Sequence, residues 1–567
     1  MPRPLHFVSF VPFCFIVSSC FVGLTTSAAE PAFRFRDAGA EAGIFPALEN
    51  IAGHGAAWGD IDGDGWVDLY VGTFGSKPYN SKPNQLLRNK EGKFSLDDQQ
   101  VLRVVGRANG AALVDLDNDG DLDLVATNHA IEGQADNSHF RTPNKLFRND
   151  GSGKFTDVSA DSGVSPELIA CRSVCATDYD GDGLLDLFVG ECFFQGGKSR
   201  SRLYRNLGGL KFEDVSQRVG LPAELTGFGV AAADVNDDGR PDLLTGGRHH
   251  GNKLLVSTKE GKFREVPTAL ADFTWTYGRD GDDTSCGVCF GDVNRDGRLD
   301  IVIGSHFSQP WRAEQGGVTV RLYLHQGVQD GLPAYKDVTE QVALLPLPMK
   351  SPHVEIQDFD NDGWPDIYTS IVKFGADGRP HPFIFKHLGL KDGLPQFRCD
   401  ALGVNDFPSA DDLAVKSTGK FFDKMIADHR IVYMAPGPTC DYNRDGKLDI
   451  FLPNWWAEAR SLLLANETAG GHWLQVAVQG PPGVNPRGIG ARVNVYPPGK
   501  LGDASALLAV REIAAGFGYA SGQEAIAHFG LSVLAECDVE VILPHGKGTI
   551  TRKRLKADQR VVIAPQP

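Results

Sequence analysis

Short apolar runs alternate with small clusters of acidic residues through most of the chain. Gly55-Ala-Ala-Trp58 and Gly110-Ala-Ala-Leu-Val114 run directly into such clusters, whereas Val67-Asp-Leu-Tyr-Val71 and Leu299-Asp-Ile-Val-Ile303 follow them. Runs of this length, rich in β-branched and aromatic residues, are typical of strands. The pattern therefore predicts hairpins in which an acidic loop joins two short strands.

A second recurring phrase follows the hairpin in the early repeats and predicts two more strands. Each copy has a short apolar run that ends in Asn, then a Gly-containing turn, then a Lys-Phe pair that opens another run. The copies span residues 84–94, 144–158 and 202–215. Abundant glycine (66) and proline (33), little methionine (4) and the absence of long heptads also favour an all-β protein.

One nonapeptide recurs seven times at the hairpin loops. Its form is Asp-x-Asp/Asn-x-Asp-Gly-x-x-Asp, and successive copies start 55, 63, 56, 58, 66 and 83 residues apart. A four-stranded unit with its loops fills such a period. The sequence therefore predicts a seven-bladed β-propeller with calcium-binding hairpin loops; a solenoid is the alternative. The copies span residues 60–68, 115–123, 178–186, 234–242, 292–300, 358–366 and 441–449.

The residue types within the nonapeptide point to calcium. Ca²⁺ takes about six to eight oxygen ligands, and carboxylates at positions 1, 3, 5 and 9 can converge on one point with the backbone carbonyl at position 7. Up to seven structural ions are expected, which would reduce the formal charge of −16 to about −2. The predicted metal residues are Asp60, Asp62, Asp64, Trp66, Asp68, Asp115, Asp117, Asp119, Asp121, Asp123, Asp178, Asp180, Asp182, Leu184, Asp186, Asp234, Asn236, Asp238, Arg240, Asp242, Asp292, Asn294, Asp296, Arg298, Asp300, Asp358, Asp360, Asp362, Trp364, Asp366, Asp441, Asn443, Asp445, Lys447 and Asp449.

EF-hand loops share the opening of this nonapeptide but place a bidentate glutamate at position 12 and helices on both sides. Position 12 is never glutamate in this chain, and the sequence after each loop is strand-like. The residues at this position are Val71, Ala126, Val189, Thr245, Ile303, Thr369 and Leu452.

The N-terminal strand is predicted to complete the last blade. Phe33-Arg-Phe-Arg-Asp37 resembles the fourth-strand phrase that starts at Phe155, yet it precedes the first loop, and the seventh repeat has no fourth strand of its own. Pairing the two would remove an open sheet edge. The propeller is then expected over residues 30–467.

After Glu467 the acidic loops stop, and short alternating strands follow. Trp473–Val478, Ala491–Tyr496 and Val539–Leu543 are examples. Residues 468–567 are therefore predicted to form a small β-sandwich or barrel.

These two regions resemble known repeat and domain families. The nonapeptide repeats resemble the FG-GAP or VCBS repeats of integrin α-subunit propellers. Asn485–Val493, Gly516–Gly522 and His528–Leu531 look like an ASPIC/UnbV domain, as in the cartilage acidic protein family, although Pro544 stands where that family usually has Trp. The resemblance implies that the metal loops are structural and that partners bind the opposite propeller face.

The N-terminus has the layout of a secretory signal peptide. Arg3 precedes an apolar run over residues 7–24, and small residues follow up to Ala29. A signal peptide over residues 1–29 and a secreted, extracytoplasmic protein are predicted; a lipid anchor at Cys20 is the alternative. No later stretch reaches the roughly 18 apolar residues of a membrane helix. The eight cysteines beyond the signal allow disulfides without fixing them.

Polar residues after the second strand of several blades are the candidate partner-binding face. His129 and His306 share a register, fourteen residues past the first aspartate of their loops. A transition-metal site and ordinary loop hydrogen bonding are the alternatives for these positions, and an insertion near residues 400–435 adds a further loop. The candidates are His129, Arg248, His249, His306, Lys373 and Trp455.

These features predict an extracellular binding or adhesion module for a protein or glycan partner, acting as a monomer, rather than an enzyme. The acidic balance disfavours nucleic-acid binding. The alternative is a calcium-dependent polysaccharide lyase in which His249, His306 or Lys373 removes a proton from the sugar. The sequence shows no nucleophile elbow, zinc helix or paired glutamates in a catalytic context.

Overall fold

The computed structural model describes residues 32–75, 82–130, 141–164, 168–192, 200–247, 251–274, 285–306, 320–347, 350–403, 406, 421–434, 436–455 and 459–566. The predicted signal peptide, Cys20, Arg248, His249 and part of the predicted insertion lie outside these residues. Ala32–Pro567 forms one compact unit.

Within the described residues, seven small antiparallel sheets follow one another along the chain after strand β1 (Phe35–Asp37). Sheet 1 contains β2 (Gly53–Gly59), β3 (Asp68–Thr73), β4 (Gln85–Lys90) and β5 (Lys93–Leu96); sheet 2 contains β6 (Ala108–Val114), β7 (Asp123–Asn128), β8 (Lys145–Asn149) and β9 (Phe155–Asp157); sheet 3 contains β10 (Cys171–Thr177), β11 (Asp186–Glu191), β12 (Arg202–Asn206) and β13 (Phe212–Asp214); sheet 4 contains β14 (Gly229–Ala233), β15 (Asp242–Gly246), β16 (Lys253–Ser257) and β17 (Phe263–Glu265). Sheet 5 contains β18 (Ser285–Gly291), β19 (Asp300–Ser305), β20 (Arg321–Gln329) and β21 (Leu332–Asp337); sheet 6 contains β22 (Val354–Gln357), β23 (Asp366–Phe374), β24 (Pro380–Lys391) and β25 (Leu394–Arg398), with β26 (Ile431–Tyr433) paired to β23; sheet 7 contains β27 (Thr439–Cys440), β28 (Asp449–Leu452), β29 (Leu462–Asn466) and β1.

The first strand of each sheet runs into an acidic loop, and the second strand leaves that loop. First strands of successive sheets contact one another from β2 through β6, β10, β14 and β18 to β22. At the chain ends, β1 pairs with β29, with Phe35 opposite Asn466. The all-β prediction is confirmed, and the succession of sheets agrees with a propeller.

The C-terminal part adds two sheets. Its strands are β30 (His472–Val478), β31 (Arg492–Tyr496), β32 (Ala509–Glu512), β33 (Ser521–Gly522), β34 (Ala527–Ser532), β35 (Glu536–Ile542), β36 (Thr549–Lys556) and β37 (Gln559–Ile563). One sheet has the order β34-β30-β37 and the other β32-β31-β35-β36, whereas β33 pairs with β2 of sheet 1. We call residues 468–566 the C-terminal domain.

Helices are few and short in the described part of the chain. They are α1 (Gly39–Ala42), α2 (Ser159–Ser162), α3 (Ser216–Val219) and α4 (Phe421–Ala427), with 3₁₀ turns at Gln100–Leu102, Ala504–Ala506 and Pro544–Gly546. None of the helices described here has the length and apolar character needed to cross a membrane.

The core lies between neighbouring sheets and continues into the C-terminal domain. Val114 of sheet 2 and Val174 of sheet 3 belong to the same buried cluster as Val476 and Val493. Full burial of one such side chain stabilises the fold by about 1.5–3 kcal/mol. All eight cysteines of the described residues are buried.

Candidate functional site

The seven acidic loops share one hydrogen-bonded conformation. In the first loop, Asp60 Oδ2 accepts a hydrogen bond from the Gly65 backbone N–H at 2.8 Å, and Asp68 Oδ2 accepts one from Ile61 at 3.2 Å. Gly65 has a φ of 91°, which a residue with a side chain rarely adopts. The bond from position 6 to position 1 recurs in the other six loops as Gly120 to Asp115, Gly183 to Asp178, Gly239 to Asp234, Gly297 to Asp292, Gly363 to Asp358 and Gly446 to Asp441.

In four loops at least three carboxylate oxygens lie within 4.8 Å of one another. These are the loops with aspartate at position 3; the other three loops have asparagine there. The four clusters are Asp60, Asp62 and Asp68; Asp115, Asp117 and Asp119; Asp178, Asp180 and Asp186; and Asp358, Asp360 and Asp366.

Several of these carboxylates are buried without a full set of partners. The Oδ1 atoms of Asp60, Asp115, Asp117 and Asp360 are buried and have no hydrogen-bond partner. Lys386 contacts the other oxygen of Asp360 and leaves Oδ1 unpaired. Because an unpaired buried carboxylate is costly, these inward oxygens fit a divalent cation that prefers oxygen ligands.

Burial also disfavours the charged form of these side chains. It raises the pKa of Asp115 to about 6, of Asp68 to about 7 and of Asp123 to about 8. A cation bound among these carboxylates would stabilise their charged form, which their buried surroundings disfavour.

Side-chain hydrogen bonds tie six of the seven loops to the next sheet; the exception is the loop of sheet 3, because Ser257 of sheet 4 stands at the equivalent position and its buried hydroxyl has no hydrogen-bond partner. Asn149, at the end of the third strand of sheet 2, donates to the Ile61 carbonyl in the loop of sheet 1 at 2.8 Å. Each acceptor is position 2 of the preceding loop, and the bond from sheet 1 to sheet 7 joins the two ends of the series. The other bonds are Asn89 to Tyr442, Asn206 to Leu116, His325 to Val235, His387 to Val293 and Asn466 to Phe359.

The C-terminal domain lies on the propeller face that carries the acidic loops. Gln475 Nε2 donates to Asp441 Oδ2 at 2.9 Å, so the domain contacts a predicted metal residue directly. In the loop of sheet 1, Asp60 lines a cavity together with Arg560. Contacts with the other loops are Arg487 to Gly120, His545 to Asp178 and Gly239, Arg492 to Gly297, and Ser532 to Asn361. The loop face is therefore occupied by the chain itself.

We call the space enclosed by the first strands of the sheets the central channel. Aromatic and cationic side chains converge at its end away from the acidic loops, where first strands begin and second strands end. We call Phe74, Arg107, His129, Arg172, Phe228, His306 and Trp455 the distal cluster. The guanidinium carbons of Arg107 and Arg172 lie 3.9 and 5.2 Å from the ring centroid of Phe74, and the Trp455 centroid lies 5.0 Å from it. His306 stacks on Phe228 at 5.3 Å.

Charge in the distal cluster resides on the arginines rather than on His129. Burial, and then Arg172 and Arg107, hold the pKa of His129 well below its usual range. Burial and Arg172 lower the pKa of Arg107 to about 9, which leaves it protonated at neutral pH. The cluster thus combines aromatic rings with positive charge at neutral pH, as binding sites for acidic or ring-bearing groups do.

Models of two protein families match this chain. The FG-GAP-like repeat matches residues 60–126, 134–189, 190–245 and 234–303, and ASPIC and UnbV matches residues 481–567. The chain carries FG-GAP-like repeats and an ASPIC and UnbV domain. The resemblance inferred from the sequence is therefore confirmed.

Relatives of the whole arrangement are similar at modest identity. Cartilage acidic protein 1 from Mus musculus is 25% identical over 522 residues, which covers 87% of this chain and 71% of that protein. The Homo sapiens protein is also 25% identical over 522 residues, covering 87% and 69%. Integrin alpha-IIb from Mus musculus is 32% identical over 171 residues, covering 27% and 15%.

Solved structures give only weak likenesses. Rhamnogalacturonan lyase YesW has 14% sequence identity and a TM-score of 0.37, covering 73% of this chain and 71% of that one. The biofilm matrix protein Bap1 of V. cholerae has 11% identity and a TM-score of 0.31, covering 93% and 71%. TM-scores this low establish no shared function.

The structure brings three residues of the predicted partner-binding face close together. His129, His306 and Trp455 all join the distal cluster. Lys373 instead donates to the buried carboxylate of Asp406 at 2.7 Å. Its ammonium group is engaged in an ion pair, which disfavours the proton-abstracting role considered for it.

Sequence reasoning missed three parts of this arrangement. Arg107 and Arg172 lie on or beside first strands and carry no motif. The inter-sheet asparagines had a visible signal, since Asn89, Asn149 and Asn206 end the same repeated phrase. The docking of the ASPIC and UnbV domain on the loops had no signal in the sequence pattern.

Proposed function

We propose that this protein is a secreted, calcium-binding propeller that serves as an extracellular binding or adhesion module for a protein or glycan. The predicted loop residues hold up to seven Ca²⁺ ions, and these ions stabilise the scaffold. The propeller spans residues 30–467 and the C-terminal domain residues 468–567, after a signal peptide over residues 1–29.

The calcium assignment is supported by the inward carboxylates of the loops. Four loops hold at least three carboxylate oxygens close enough together to bind one hard cation, and Asp60, Asp115 and Asp360 each keep one buried oxygen without a partner. When bound, calcium would neutralise the loop carboxylates. The chain itself supplies the fixed loop conformation through the bonds from position 6 to position 1.

The location of the partner site is supported by one observation. The ASPIC and UnbV domain occupies the loop face, so a partner is expected at the opposite end of the channel, where the distal cluster lies. Arg107, His306 and Trp455 are the partly exposed members of that cluster. Cations and aromatic rings together suit an acidic protein surface or an acidic sugar.

The test combines a metal count with partner screening. Residues 30–567, purified with calcium, would be counted for bound ions by native mass spectrometry and applied to glycan and extracellular-protein arrays. Several bound ions, and an array signal that Arg107→Ala abolishes, are expected. Arg554→Ala is the matched control, because Arg554 is 75% exposed and lies on β36, an edge strand of the C-terminal domain. Absence of bound calcium, or an array signal unaffected by Arg107→Ala, would contradict the proposal.

A further inference from the structure

We infer that the ASPIC and UnbV domain completes the partner site, with Tyr519 as the residue that positions the distal cluster. The inference rests on the proposed function in one respect, namely that the distal cluster is where partners bind. Neither half of the chain would then form this site alone.

The C-terminal domain sends residues 514–523 into the central channel. The Gly518 backbone N–H donates to the Val288 carbonyl of β18 at 2.7 Å, and Ala520 N–H donates to Ser173 Oγ of β10 at 3.0 Å. Beyond this point, β33 pairs in parallel with β2, with Ser521 opposite Ala56. The inserted loop thus bonds to first strands on several sides of the channel.

The channel is shaped closely around this loop. Gly518 has a φ of 72°, and a Cβ at this position would come within 2.5 Å of His353 Cε1. The next residue, Tyr519, donates its backbone N–H to His353 Nδ1 at 3.1 Å. Ser521 Oγ donates to the Tyr519 carbonyl at 2.9 Å. The backbone of Tyr519 is therefore fixed from both sides.

The Tyr519 side chain extends from the loop to the distal cluster. Its hydroxyl lies 3.2 Å from His54 Nε2, and its ring centroid lies 6.4 Å from those of both Phe228 and His306. His54 in turn contacts Trp455, with a centroid distance of 4.4 Å. Tyr519 therefore packs against the distal cluster from the inserted loop, and it positions Trp455 through its contact with His54.

The inserted loop and the residues that flank it are also hydrogen-bonded toward the acidic-loop end of the channel. Gln523 Nε2 donates to the buried carboxylate of Glu355 at 2.9 Å, and Glu512 at the end of β32 accepts a hydrogen bond from Asp234 N–H at 3.0 Å. Asp234 opens one of the acidic loops. One continuous segment thus joins an acidic loop to the distal cluster.

The experiment compares backbone amide hydrogen exchange in the calcium-loaded wild type, Tyr519→Ala, Tyr519→Phe and the control Tyr496→Ala. Tyr496 is a buried tyrosine of the same domain whose hydroxyl bonds to Glu540 outside the channel. Protein and glycan arrays are run in parallel on the same four proteins.

Tyr519→Ala is expected to speed exchange at residues 52–57 and 70–75 by about tenfold or more, because local opening becomes easier. The amides of Gly65 and Gly120 in the acidic loops should keep their wild-type rates. Tyr519→Phe keeps the ring and loses the hydroxyl, so it should restore most protection while leaving Trp455 less ordered than in the wild type. Any wild-type array signal should fall by about tenfold in Tyr519→Ala.

Two results would overturn the inference. One is an amide exchange rate around His54 in Tyr519→Ala that equals the wild-type rate. The other is a loss of protection around His54 in Tyr496→Ala that equals the loss in Tyr519→Ala. A wild type without any array partner would refute the proposed function, whereas the exchange comparison would still decide the role of Tyr519.

Discussion

The Tyr519 hydroxyl lies 3.2 Å from His54 Nε2, although 465 residues separate the two in the chain. His54 belongs to the first strand of the first sheet, and Tyr519 belongs to the C-terminal domain. The contact shows that the domain is part of the propeller channel rather than an appendage. Folding of the repeats and docking of the domain are therefore expected to depend on each other.

A chain truncated after residue 467 should fail to give a stable monomer. Removing the C-terminal domain exposes Val114 and Val174, which share a buried cluster with Val476 and Val493. It also leaves the channel without residues 514–523. Soluble yield and thermal unfolding of the truncated protein provide the measurement, with a chain lacking only residues 565–567 as control. A truncated protein with the melting temperature of the full chain would refute the dependence.

Calcium-stripped protein should lose stability as the pH rises from about 7 to 9. Burial raises the folded-state pKa of Asp68 to about 7 and of Asp123 and Asp358 to about 8, against about 3.9 in an unfolded chain. The folded state then binds more protons than the unfolded state, so the free energy of unfolding falls with rising pH until these carboxyls have ionised in the folded state as well. Unfolded histidines are already mostly neutral in this range, whereas the buried cysteines add to the decline: burial raises the pKa of thiols such as Cys175 and Cys440 in the fold, and unfolded thiols ionise near pH 8.5.

Urea unfolding at pH 7 and 9, with stripped and calcium-loaded protein, measures this effect. Calcium should raise the stability of the protein and remove the part of the decline that the loop carboxyls cause, because ionised carboxylates are its ligands. Asp123→Asn in the stripped protein should have a shallower pH dependence. Equal slopes for the stripped and the calcium-loaded protein would argue against calcium in these loops.

Asn149→Ala should destabilise the protein by about 2–3 kcal/mol, because it leaves buried carbonyls without a donor. Asn149 Nδ2 bonds to the carbonyls of Ile61 and Leu122 at 2.8 and 3.1 Å. Ser257 ends the equivalent strand of sheet 4, and its buried hydroxyl has no hydrogen-bond partner. Ser257→Ala should therefore be nearly neutral in urea unfolding, and a cost equal to that of Asn149→Ala would refute the role assigned to the inter-sheet bonds.

The acidic loops were predictable because metal ligation imposes local spacing. The nine residues from Asp60 to Asp68 contain the aspartate ligands and the glycine turn, and the next strand begins at Asp68. Hairpins on either side follow from equally local apolar runs. The all-β class therefore followed from short-range pattern alone.

The distal cluster was only partly predictable, since its members come from different sheets. His129 and His306 share a register that placed them on one face, but nothing local distinguishes Arg107 or Arg172 from other strand arginines. Tyr519 lies in a glycine-rich stretch that is typical of a turn, and this stretch does not indicate which way the tyrosine side chain points. Lys373 shared the polar setting of the candidates, yet its ion pair with Asp406 became visible only in three dimensions.

Lys373→Met should leave partner binding unchanged and lower stability by about 2 kcal/mol. The substitution removes the ammonium group that pairs with the carboxylate of Asp406, whose side chain is 1% exposed. A double variant, Lys373→Met with Asp406→Asn, should recover part of the loss, because the unpaired charge is removed. Urea unfolding and the arrays give the two readouts, and loss of binding in a variant of normal stability would return Lys373 to the list of partner-site residues.

Gly518→Ala should expel the inserted loop from the channel. The added methyl group would lie 2.5 Å from His353 Cε1 at a φ of 72°. Gly502 in the same domain has a φ of 78° and open space where a Cβ would stand, so Gly502→Ala carries the backbone strain without the collision. Gly502→Ala is expected to cost about 1–2 kcal/mol, whereas Gly518→Ala should cost more and also release protection at His54. If both variants lose equal stability and keep equal protection at His54, the close fit around Gly518 does not hold the loop in place.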